Sequence, residues 1–164
     1  MPNASVVLRT ATETDVPAIL ELIEALADYE RLRDACVATD DRLRATLFGV
    51  SPKAEVILAE SAGVVAGFAL FCTNYSTFLA QPGIWLEDLF VRPEFRSQGI
   101  GKLLLGHLAR LAVERDCGRV EWAVLDWNTP SIGFYESLGA RGLTDWTTYR
   151  LTGDAITTLA GSAT

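Results

Sequence analysis

Apolar positions along the chain switch between a period of two and a period near 3.6, and the switching lays out a succession of strands and helices. Residues 6–9 form a short strand. Val16, Ile19, Leu20, Ile23 and Leu26 then recur at helical spacing, with Thr12 and Asp15 as the capping box of that helix. A second helix covers 40–48 behind Thr39, and strands follow at 54–60, 64–73 and 84–91. Ile100, Leu103, Leu104, His107, Leu108, Leu111 and Ala112 mark one face of a longer helix that ends near Asp116. After Gly118 come a strand at 120–125, a short helix at 129–138 and a strand pair around 140–151. The tail from Gly153 onward either closes as a short helix or frays. This order predicts a mixed α/β fold around a central, largely antiparallel sheet flanked by helices.

Composition narrows the class. A chain of 164 residues, 49% hydrophobic and 21% charged, has the size and apolar content of one globular domain, here taken as residues 1–164. Residues 61–86 carry no charge over a length that could cross a bilayer. Gly63, Gly67, Asn74, Pro82 and Gly83 interrupt the stretch, so it reads as strand, loop, strand rather than a membrane helix. The first ten residues lack a basic start and a sustained apolar run, which places the chain in the cytoplasm. Cys36, Cys72 and Cys117 are widely spaced with no Cys-x-x-Cys pair, so neither a disulfide framework nor a metal site is expected. A net charge of -7 argues against nucleic acid as a partner and suits a cationic ligand.

The strongest chemical signal is Arg96-Ser97-Gln98-Gly99-Ile100-Gly101, a glycine-rich turn between an apolar strand and the long helix. The first backbone N–H groups of a helix lack intrahelical partners and sit at the positive end of its dipole, so an anion can dock where glycines leave room. An ordinary tight turn explains the two glycines equally well when they are taken alone. The Walker pattern is excluded because Leu103 follows Gly101-Lys102, and the dinucleotide fingerprint fails because Leu104 stands where a third glycine is needed.

This turn, with Asp126-Trp127-Asn128 and Phe134-Tyr135-Glu136-Ser137-Leu138-Gly139-Ala140 behind it, resembles the GNAT superfamily of acetyl-CoA-dependent N-acetyltransferases. Trp85-Leu86-Glu87-Asp88-Leu89-Phe90-Val91, Val124-Leu125-Asp126-Trp127-Asn128 and Gly133-Phe134-Tyr135 are similar to the branch that contains diamine, polyamine and thialysine acetyltransferases. The resemblance runs from residue 7 to residue 151 and is most specific over 84–140. It implies that the strands at 84–91 and 120–125 splay into a V that receives the pantetheine arm of acetyl-CoA. Leu89, Phe90 and Val91 would offer main-chain bonds there. Arg96, Ser97, Gln98, Gly99, Ile100, Gly101 and Lys102 would hold the pyrophosphate, and Asn128 and Ser131 would also contact the cofactor.

Transfer to an amine needs a proton acceptor, because an aliphatic amine with a pKa near ~10.4 arrives protonated, and it needs a donor for the departing thiolate. Glu87 and Asp88 stand in an otherwise apolar strand, where carboxylates are expensive to bury. Glu87 is either a solvent-facing residue at a strand end or a functional one. The resemblance implies Glu87 as a base acting through water and Asp88 as a contact for a cationic substrate. Tyr135 shares three-residue spacing with Ile132 and Leu138, which reads as core; the resemblance instead makes it the general acid. Asn128 also reads as the cap of the helix that opens at Thr129 and Pro130. His107, the only histidine, reads as structural.

In polyamine-specific relatives, acidic groups stand where this chain has Ser76 and Thr147, with Asp145 as a substitute charge and Tyr149 in place of a Trp. A diamine or an ornithine-like or thialysine-like amino acid is therefore expected ahead of a long polyamine. The alternatives are a protein N-acetyltransferase and a non-catalytic acyl-CoA-binding module. The resemblance further implies a homodimer, with Phe78, Trp85 and Trp146 as candidate interface aromatics.

Overall fold

Val6–Thr10 (β1), Glu55–Ser61 (β2), Val64–Ser76 (β3), Gln81–Val91 (β4) and Val120–Trp122 (β5) carry the β-branched and aromatic residues that suit a pleated surface, and they join in one five-stranded sheet of order β1-β2-β3-β4-β5. The first four strands are antiparallel neighbours and β5 lies parallel to β4. The structure is a computed structural model that describes residues 5–163. Two compact units divide the chain, residues 1–125 and 126–164.

In the first unit the sheet is covered on both faces. Helix α1 (Val16–Tyr29) buries Val16, Ile19 and Leu22, and α2 (Asp40–Leu47) buries Leu47; these pack with Val56, Leu58, Phe68 and Phe90. Leu22 takes the fully buried place expected of Leu20, which is half-buried, so the core-facing stripe of α1 is turned slightly from the one read in the sequence. Thr39 caps α2 by accepting the Arg42 backbone N–H at 3.3 Å. By strand alternation Ile57, Ala59, Ala69 and Phe71 point to the opposite face. There α3 (Ile100–Glu114) buries Ile100, Leu104, Leu105, Leu108 and Ala112.

Charged side chains tie α1 to the sheet. Arg9 on β1 donates to both oxygens of Asp15 at 2.7 Å and to Glu60 on β2 at 2.8 Å. That guanidinium holds the Asp15 carboxyl well below the usual carboxylate range. Thr12 and Asp15 form the expected box, although it caps a 3-10 turn (Glu13–Asp15) that leads into α1. Arg92, which follows β4, donates to the Val65 carbonyl at 3.0 Å and to Glu21 of α1 at 3.1 Å.

The stretch at 61–86 forms strand, turn and strand, and no helix among the described residues is long and apolar enough to cross a membrane. Strands β3 and β4 are longer than the alternation indicates, whereas β5 stops at Trp122 instead of Leu125.

The second unit holds α4 (Thr129–Ser137) and α5 (Asp154–Gly161). The strand pair expected around 140–151 does not form. Residues 141–151 are all exposed and carry no strand hydrogen bonding, so the Thr, Trp and Tyr that favour a strand there have neither a ladder partner nor a face to bury. The tail closes as a helix, as one of the two expected outcomes.

Candidate functional site

The site begins where β4 loses its outer neighbour. Strand β5 pairs with Ile84, Trp85 and Leu86 and then ends, while β4 runs on to Val91 paired with β3 alone. From Glu87 onward one edge of β4 is open, and backbone groups directed to it need partners from elsewhere. The resemblance implies that the strands at 84–91 and 120–125 part here; in the structure their pairing stops because β5 ends at Trp122.

A β-bulge sits at the same place. Leu70 pairs with Asp88 and Phe71 with Leu86, so Glu87 is an extra residue with no partner on β3. Plain alternation would put Leu86, Asp88 and Phe90 on one face. The bulge instead sends Leu86 to the face of Phe71, and Asp88 and Phe90 to the face of Leu70 and Phe68, under α1. Glu87 is exposed and Asp88 half-buried. Trp85 donates its indole N–H to Glu87 Oε2 at 2.7 Å.

Burial pushes the Asp88 carboxyl up to about 6, and the charges of Glu87 and Glu30 push in the same direction. Glu30 follows the last residue of α1, is half-buried, and has its own pKa raised by burial. The charges of Glu87 and Glu30 are therefore both felt at Asp88, a cost that a bound cation reverses. The sequence reading missed Glu30. An available signal was its position, because a carboxylate at a helix C-terminus opposes the helix dipole.

Next along the chain is the glycine-rich turn. Ser97 has φ 61° and Gly99, at the N-cap of α3, has φ 78°. Successive N–H groups in such a left-handed turn form a concavity that suits an anion, and the helix dipole adds to it. A Cβ built on Gly99 would meet no atom within 4 Å, so the glycine keeps the mouth of the helix open as well as supplying the φ. A shallow cleft of about 550 Å³ runs from Gln98 and Gly99 past Lys102 to Arg110. Ile100 is buried below, and Lys102 is exposed in the first helical turn. These features fit a pyrophosphate. Arg96 is less available, since its Nε donates to the Val91 carbonyl at 3.0 Å and its guanidinium lies over the rings of Tyr29 at 4.9 Å and Phe90 at 5.5 Å. Phe90 is core by its side chain, and Leu89 and Val91 are half-buried along the open edge.

In the second unit Asn128, Ser131 and Tyr135 fall at intervals of three and four, on one face of α4. Asn128 is buried at the N-cap position, and its carbonyl accepts the Ile132 N–H at 3.0 Å, but its side chain makes no cap hydrogen bond. Tyr135 is half-buried, 5.4 Å from Phe134 between ring centres, and no residue of α4 is buried in the manner of a core stripe. His107 lies on α3, half-buried, with Nδ1 2.8 Å from Arg110 Nη2, and burial lowers its pKa. Ser76 is buried, and its hydroxyl accepts the Leu79 N–H at 3.3 Å, so it serves the turn rather than a ligand. Of the candidate interface aromatics, Phe78 and Trp146 are exposed, whereas Trp85 is half-buried and tied to Glu87.

Residues 19–140 match the acetyltransferase (GNAT) family. The chain is 38% identical to the thialysine N-epsilon-acetyltransferase of Sus scrofa, over 96% of this chain and 99% of that protein. It is also 38% identical to an L-ornithine N5-acetyltransferase of Arabidopsis thaliana, over 91% of this chain and 85% of that one. Among solved structures, an integron cassette protein from the mobile metagenome of V. cholerae superposes with a TM-score of 0.80 at 26% identity, covering 95% of this chain and 98% of the other.

Proposed function

Because the chain belongs to the acetyltransferase (GNAT) family, we propose that it moves the acetyl group of acetyl-CoA to a primary amine of a small cationic substrate by direct attack in a ternary complex. The substrate is an ornithine-like or thialysine-like amino acid or a short diamine. The observation that carries this reading is the placing of an exposed Glu87 and a half-buried Asp88 side by side at the bulge where one edge of β4 opens, with the charge of Glu30 also acting on Asp88. Like charges held together are unfavourable, and an ammonium group is a ligand that relieves them.

The residues divide the work by their surroundings. Asp88 and Glu30, half-buried, hold the ammonium. Glu87, exposed, takes the proton directly or through one water and can release it to solvent. Acetyl-CoA supplies a thioester whose carbonyl carbon the free amine attacks, with loss of the thiolate. The turn at Ser97, Gly99 and Lys102 holds its pyrophosphate, and Leu89 and Val91 line the edge beside its pantetheine arm. Asn128 and Ser131 add contacts on α4, and Tyr135 gives a proton to the leaving sulfur. The chain works as a homodimer in this reading, with Phe78, 97% exposed at the turn between β3 and β4, as a contact.

Two observations favour a short substrate. Relatives at 38% identity are named for thialysine and ornithine, and the place of the loop acid is taken by Ser76, whose hydroxyl accepts the Leu79 N–H. Specificity constants for thialysine, ornithine, putrescine and spermidine test this. Turnover of one or more of the first three, with spermidine at least about tenfold lower, is the expected ranking, since a lost charge-assisted contact is worth about 1.5 kcal/mol or more. Preference for spermidine, or no turnover with any of the four, would contradict it.

A further inference from the structure

We propose that Trp85 is a positioning residue that fixes the carboxylate of Glu87 for proton uptake; the inference rests on the reading of Glu87 as the proton acceptor. The bulge makes Glu87 the residue of β4 with no partner on β3, and its side chain is exposed. A long carboxylate side chain in that position has no packing to select a rotamer. Trp85, two residues back, supplies the selection through its N–H bond to Oε2 at 2.7 Å.

The chemistry of the indole suits this work. Its ring is half-buried, has few rotatable bonds, and carries a donor that neither accepts nor loses a proton near neutral pH. It occupies Oε2 without competing for the proton and leaves Oε1 to receive one. Cys72 stands opposite Trp85 in the register of β3 and β4. Burial raises the Cys72 thiol pKa and the charge of Glu87 raises it further, while the bond from Trp85 turns the carboxylate back along the strand. Holding an acceptor in one geometry contributes to rate through orientation and leaves the affinity for substrate largely alone.

A double-mutant cycle separates this role from simple packing. Steady-state rates are measured for the full chain, W85F, E87Q and the W85F/E87Q double variant with acetyl-CoA and the best amine of the panel. Phe keeps the ring and removes the N–H. W85F is expected to lower kcat about tenfold with both KM values within about twofold, and to have no further effect in the E87Q background, because a residue that acts through Glu87 has nothing left to position. A W85F rate equal to that of the unaltered chain would overturn the inference. So would an equal fractional loss in both backgrounds, which is what damage to the fold produces. If E87Q itself keeps the full rate, the acceptor reading falls and takes this inference with it; that outcome is read from E87Q alone.

Discussion

Tyr135→Phe is expected to lower kcat by roughly 10²-fold, the lower end of what positioned proton donors contribute. Phe retains the ring that packs 5.4 Å from Phe134, so the variant removes one oxygen and little else. A departing alkylthiolate is basic enough, with a thiol pKa near ~8.5, for protonation to assist its loss but not to be indispensable. Both KM values should stay within a few-fold, because the phenol acts on the leaving sulfur and not on binding. Thiol release under saturating substrates measures it. An unchanged kcat would remove Tyr135 from the chemistry.

Asp88→Asn is expected to act in opposite directions on binding and stability. Loss of the carboxylate removes a charge-assisted contact to the ammonium, which should raise KM for the amine about 10–100-fold. Stability should rise. The Asp88 pKa is raised to about 6 from 3.8, a difference of roughly 3 kcal/mol against ionisation in the folded state, before allowance for the partial exposure of the group. The sign follows from proton counting. Between about pH 4 and 6 the folded chain keeps a proton that the unfolded chain has lost, so this group's contribution to stability falls as pH rises through that window and is flat above it. Denaturant unfolding should therefore find D88N about 1–3 kcal/mol more stable than the unaltered chain near pH 8, and the gap should close near pH 4. A gap that widened toward low pH would show that Asp88 is paired with a cation of the protein and is not held among carboxylates.

Much of this was legible in the sequence, for identifiable physical reasons. Strands β1 to β4 and helices α1 and α3 are written in apolar periodicity, α2 and α4 are announced by Thr39 and by Asn128-Thr129-Pro130, and the Gly99 turn was legible because a left-handed N-cap that must stay open requires glycine. The chemistry of Glu87 and Asp88 stood out because two carboxylates interrupt an apolar strand. The bulge at Glu87 was not legible. A one-residue slip in register depends on how β3 and β4 pair over their whole length, and strict alternation assigned Asp88 to the wrong company. Glu30 was hidden for a related reason: its partners are far along the chain, and only the packing of α1 over β4 makes its charge felt at Asp88. The strand pair expected at 140–151 rested on local pattern alone, and a local pattern does not supply a ladder partner.

The central claim, direct transfer from acetyl-CoA to a cationic amine held by the carboxylates of β4, is tested most directly by initial rates of thiol release over a grid of acetyl-CoA and amine concentrations. Intersecting reciprocal plots, with release that depends on the amine, are the predicted result. Parallel plots would indicate a covalent acyl-enzyme, and release that ignores the amine would indicate hydrolysis; either would contradict the account.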